Sequence, residues 1–133
     1  MRNEQVLLQL RPDLNLPTSA SGPEEIFQNQ TLRPILKMQH ALLVQLLASH
    51  IRKHKNAFFQ LPETARLDWI SNAVRADLRF RNLLVGTVLG HFTLEELRNF
   101  EAHEAECLRR LVQLLVQRLQ SVEVDALKQA DYI

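Results

Sequence analysis

Only three glycines and five prolines are spread over 133 residues. So little turn punctuation argues against a fold of many short strands and favours long helices. The single cysteine, Cys107, excludes an intrachain disulfide and fits a reducing compartment. Sixteen Lys and Arg against fifteen Asp and Glu leave a formal charge of +1, which excludes a broad basic face for nucleic acid. No apolar run reaches membrane-spanning length, and the first residues lack the charged, apolar, then small order of a signal peptide. The expected location is cytoplasmic, with neither a membrane nor a nucleic acid as partner. Phosphate-binding glycine loops, nucleophile elbows, CxxC and HExxH are all missing, and so are the paired Glu-x-x-His segments of di-iron bundles. No cofactor is expected, and enzyme activity is left open, with the balance against it.

What is present is an ordinary globular composition, 46% hydrophobic and 23% charged, in a chain of one-domain length. The pattern divides it into an N-terminal arm (1–22), a helical bundle (23–122) and a C-terminal tail (123–133). In the arm, Pro12, Pro17 and the run Thr18 to Gly22 break any helical period, although Val6, Leu7, Leu8 and Leu10 make it apolar. An extended arm laid across the bundle or across a partner subunit is expected.

Pro23 and Glu24 open a short helix to Gln30, and Thr31 reads as the N-cap of a second start with Pro34 in its first turn. Leu32, Ile35, Leu36, Leu42, Leu43, Leu46, Leu47 and Ile51 then hold the i, i+3, i+4 spacing of one helix face, fading near Asn56. Arg52-Lys53-His54-Lys55 reads as its solvated C-terminal end. Leu61-Pro62-Glu63 marks the next start, and Leu67, Ile70, Val74, Leu78, Val85 and Val88 continue one stripe to Gly90. Gly86 is expected to admit a bulky neighbour and Gly90 to end the helix. Thr93-Leu94-Glu95-Glu96 is a capping box. It opens a third helix with Leu97, Leu108, Leu111, Val112, Leu115 and Leu119 inward, running to about Ser121. The fold class is therefore all-α: an antiparallel bundle of three long helices, each roughly 40 Å at 1.5 Å per residue.

The segments Phe27 to Gln39 and Phe80-Arg81-Asn82 through Gly90-His91-Phe92-Thr93-Leu94-Glu95-Glu96 resemble a family of small uncharacterised bacterial all-helical proteins. The resemblance covers about residues 24 to 120. Some members carry the label glyoxalase. That fold takes its His and Glu metal ligands from the strands of βαβββ modules, which a chain of helices cannot build. The resemblance implies a helical fold and no activity.

Two polar constellations stand out. His50 and His54 share one helix face at a spacing that can hold a metal, but the register places only Asp68 beside them. They read instead as a packed margin residue and part of the basic end, so no metal site is expected. The second comes from helical-wheel arithmetic at 100° per residue. Gln39 interrupts the first apolar stripe, Arg81 the second with Asp77 on its flank, and Glu104 the third. If the first turn pairs residues near 58 and 62, Gln39 faces Arg81. If the second turn centres near 92, Arg81 faces His103 and Glu104. Gln39, Asp77, Arg81 and Glu104 are then expected in one layer, either a structural ion-pair network or a pocket for a small anion or carboxylate. Phe58, Phe59, Trp69, Phe80, Phe92 and Phe100 do not fit one stripe each, and this aromatic surplus points to a partner surface. The leading functional expectation is a non-catalytic helical interaction protein, a homodimer or other homo-oligomer, with a further protein partner allowed. The alternative is a small-molecule binder or enzyme around Arg81 and Glu104.

Overall fold

The computed structural model describes residues 2–16 and 22–130. The Pro17–Ser21 run and residues 131–133 lie outside it, as does whatever the sequence pattern implies for them. Of the described residues 79% are helical, and none is in a strand.

The arm carries a short helix, α1 (Glu4–Gln9), capped by the Asn3 side chain. Pro23 to Met38 runs as one rod: α2 (Pro23–Phe27), a π turn (Gln28–Leu32) and α3 (Arg33–Met38). The cause of the π turn is Pro34. It has no N–H to give the Gln30 carbonyl, and its ring crowds that carbonyl, so the turn opens and the Arg33 N–H reaches back five residues to Gln28. Thr31 is thus not the N-cap expected of it: the helix passes through it without a fresh start.

After Gln39 the chain continues as α4 (His40–Lys53), a 3-10 turn (Ala57–Gln60), α5 (Glu63–Ala76), α6 (Leu78–Leu89), α7 (Leu94–Ala102), α8 (Glu104–Gln120) and α9 (Val124–Gln129). Pro62 and Glu63 start α5, and Thr93 starts α7 with the full capping box, as the sequence indicates. In that box Glu96 N–H donates to Thr93 Oγ1 at 3.1 Å, and Thr93 N–H donates to Glu96 Oε1 at 2.8 Å. The tail forms α9, whose Leu127 is fully buried where α9 packs on α4.

Each long helix of the sequence reading is broken near its middle. The breaks fall at Gln39 (φ −90, ψ 6), Asp77 (φ −87, ψ 99) and His103 (φ −136, ψ 48). A break resets the helical phase, and the inward stripe changes residues with it. Before Asp77 the buried positions are Ile70, Ala73 and Val74; after it they are Phe80, Leu84 and Val88. Leu78, expected inside, is 57% exposed, while Phe80 is 4% exposed. Phe58, Phe92 and Phe100 are also buried, and Phe59 and Trp69 pack half-buried against the core, so the core takes up the aromatic surplus. α8 is the central element. It buries Cys107, Leu111, Val112, Leu114, Leu115, Val116 and Leu119, and touches the π turn, α4, α5, α6 and α7.

The arm lies on the α6–α7 turn and is held there by polar contacts. Arg2 donates to the Gly90 carbonyl, and Glu4 accepts from Leu94 N–H. Arg11 forks onto Glu96 at 2.6 and 2.7 Å and also donates to the His91 carbonyl at 2.6 Å. Glu96 Oε2 further accepts the Thr31 hydroxyl at 3.0 Å, joining arm, π turn and capping box. Burial pushes the Glu96 carboxyl up, but hydrogen bonds from Arg11, Thr93 and Thr31 and the Arg11 charge outweigh it, leaving it below the usual carboxylate range.

Candidate metal centre

The four polar residues expected in one layer do not meet there. Gln39 Nε2 donates to the Thr87 carbonyl at 3.2 Å, six positions beyond Arg81 along α6. Arg81 is half-buried, and its Nε has no hydrogen-bond partner among the described residues. Glu104 is exposed at the first position of α8, and no ion pair joins it to Arg81 among the described residues. The reason is the set of breaks. Gln39, Asp77 and His103 are the joints themselves, so wheel angles and register sums carried across them lose their meaning.

Asp77 is brought instead to the histidine pair. His50 lies on the last turn of α4 and His54 is its C-cap, so the two imidazoles sit one above the other with ring centroids 4.5 Å apart. Asp77 is the single extended residue between α5 and α6. One carboxylate oxygen caps α6 by accepting Phe80 N–H at 3.2 Å; the other stands 3.7 Å from His50 Nε2. One candidate ligand atom from each of His50, His54 and Asp77 falls in a group no wider than 4.8 Å. The cap bond orients the carboxylate in the way hydrogen bonds from outside a metal site orient its ligands.

Aromatic rings fix the imidazoles. His50 stacks on Phe80 at 4.0 Å with 10° between the planes, and Trp69 lies 5.7 Å from His50 and 6.0 Å from His54. Trp69 in turn packs on Phe58. His50 has 11% of its side chain exposed, and burial lowers its pKa, helped by His54 and Lys53 and opposed by Asp77. A histidine kept neutral near pH 7 has a lone pair available, the form a metal requires. A cleft of about 230 Å³ opens over the group, with Lys53 and Arg79 on its walls. Those two cations disfavour hard dications held by charge alone and leave the nitrogen-preferring transition metals as the better fit.

With Zn–N and Zn–O bonds near 2.0–2.1 Å, ligand atoms around a tetrahedral ion stand about 3.3 Å apart. The His50–Asp77 separation of 3.7 Å is therefore a few tenths wider than a bound ion would hold it. Sequence reasoning found both histidines and missed their partner, because its unbroken second helix put exposed Asp68 opposite them. The usable signal was Asp77, an N-cap residue type in the middle of the second stripe. No helix among the described residues is long and apolar enough to cross a membrane. No family model, curated protein or solved structure matches the chain.

Proposed function

We propose that the protein binds a transition-metal dication, zinc first among them, through His50, His54 and Asp77. The observation that carries this reading is the convergence of three ligand atoms, from the end of α4 and the α5–α6 joint, within 4.8 Å. Two His and one carboxylate leave a coordination position open toward the cleft, the pattern of zinc sites that take water or substrate as fourth ligand and of Fe(II) sites with open positions. Calorimetric titration with Zn(II), and Co(II) absorption as a report of tetrahedral geometry, test it. One ion per chain is expected, with at least a tenfold loss of affinity in His50→Ala and in Asp77→Asn, a variant that keeps a good cap residue. Absence of binding below millimolar metal, or equal affinity in both variants, would overturn the reading.

A second reading keeps the helical interaction protein that assembles as a homo-oligomer. Its support is surface leucine: Leu42, Leu78, Leu83 and Leu94 are 43%, 57%, 50% and 54% exposed. Light scattering across a dilution series distinguishes an oligomer from a monomer. The antiparallel arrangement of the helical rods belongs to the same reading, supported by the packing of α8 against α4, α5, α6 and α7.

A further inference from the structure

A second cavity lies on a different face and uses none of the metal-centre residues. It has a volume of about 490 Å³, within the range of small-molecule sites. Ile26 and Phe27 of α2 and Ala102 and Cys107, on either side of the α7–α8 break, supply its apolar wall, and Gln30, Thr31 and Asn99 add neutral polar groups. The π turn forms part of that wall, and such turns recur at ligand sites because they displace backbone from the regular ladder.

The one permanent cation-attracting group among the described residues at this cavity is a carboxylate, and the His103 imidazole is the basic group beside it. Among the described residues lining it the only carboxylate is Glu24, and no Lys or Arg lines it. Glu24 has 28% of its side chain exposed and stands 3.6 Å from the His103 imidazole at the cavity edge. The thiol on the cavity wall responds to this field. Burial pushes the Cys107 pKa up, and the Glu24 and Glu106 carboxylates push it further, against the opposing charge of Arg110. Cys107 is 2% exposed, so it acts as wall and not as a nucleophile.

We infer that this cavity is a binding site for a small apolar molecule carrying an ammonium group, with the apolar body against Phe27 and Ala102 and the cation paired to Glu24. The pairing orients the ligand, because the carboxylate sits at the edge and the opposite wall offers no charge. Anionic molecules of the same shape are disfavoured, since they would meet Glu24 with no Lys or Arg among the described lining residues to compensate.

The test is a pair of probes of matched size and opposite charge, 2-phenylethylamine and phenylacetate, titrated into isotopically labelled protein and followed by amide chemical shifts. Shifts at Phe27, Thr31, Ala102 and Cys107 are expected with the amine, at an affinity at least tenfold above that of the carboxylate. Glu24→Gln should reduce the preference to within about twofold without unfolding the chain, and Ala102→Trp, at an exposed position, should remove binding of both probes. Equal binding of the two probes, a preference that survives Glu24→Gln, or no shift at the lining residues up to the solubility of the amine would each overturn the proposal.

Discussion

The contact that fastens the arm is the part of the structure whose energy can be worked most directly. Arg11 and Glu96 have 6% and 14% of their side chains exposed and share two short hydrogen bonds. Removing one partner of a buried pair costs about 3–5 kcal/mol, because the other charge is left in a poor solvent. Two features reduce that here. Glu96 keeps the Thr93 N–H and the Thr31 hydroxyl, so the carboxylate is not left bare. Arg11 Nε has no partner among the described residues, so truncation also removes one unsatisfied buried donor, worth about 1 kcal/mol or more. The expected loss in Arg11→Ala is therefore about 2 kcal/mol. Urea unfolding followed by circular dichroism gives the global value, and hydrogen exchange at the α1 amides separates loss of the whole fold from release of the arm alone. Arg11→Lys should recover less than half of the loss, since an ammonium cannot fork onto both carboxylate oxygens. A loss below about 0.5 kcal/mol, or near-zero coupling between Arg11→Ala and Glu96→Gln, would refute the assignment of this pair as the fastener.

Three further outcomes follow from the same geometry. A methyl added at Gly86 would meet nothing within 4 Å in the middle of α6, contrary to the bulky neighbour expected there, so Gly86→Ala should raise stability by roughly 0.5–1 kcal/mol in urea titrations. His40, His50 and His91 are all shifted down, in each case first by burial, then by Arg118 at His40, by His54 against Asp77 at His50, and by Arg11 and Arg2 at His91. The unfolded chain then binds more protons below the ordinary histidine value of 6.5, so their contribution is complete above that pH and is lost as pH falls through the folded values. A flat urea midpoint between about pH 8 and 5 would contradict it. A double-mutant cycle on Arg81→Met and Glu104→Gln should give coupling near zero, because one side chain is half-buried with no carboxylate partner among the described residues and the other is in water.

Local chemistry was legible in the sequence, and phase was not. The Thr93–Glu96 capping box and the Pro62-Glu63 start depend on neighbours within four residues, and both stand where the pattern puts them. Leu111, Val112, Leu115 and Leu119 of the wheel are buried in α8, since no break interrupts Glu104 to Gln120, while Leu108 is half-buried and Cys107, Leu114 and Val116 join the core. The joints at Gln39, Asp77 and His103 carry neither glycine nor proline, and only Asp77, an N-cap residue type, offered a signal of a new start. Gln39 registered as a polar intrusion on an apolar stripe, and Asp77 and His103 only as neighbours of Arg81. Read as buried groups, Gln39, Asp77, Arg81 and Glu104 implied a polar layer; in the structure Gln39 and Asp77, with His103, mark where each rod bends. Asp77 shows the cost of the first reading, because it moves the carboxylate from the flank of Arg81 to the side of His50. Arg11 and Glu96 were out of reach for a different reason. Their contact spans 85 positions and leaves no periodic trace in either segment.

The distance along the chain between the arm and its seat has a consequence for synthesis. Arg11 leaves the ribosome 85 residues before Glu96, and the α6–α7 turn that receives the arm does not exist until then. At roughly 5–20 residues per second the arm waits on the order of 4 to 17 seconds without its partner. Val6, Leu8 and Leu10, which stay 45–56% exposed even after docking, are open to other contacts throughout that interval. The arm is therefore translated early and seated late, and a nascent chain stalled before residue 96 should present it to any apolar surface nearby.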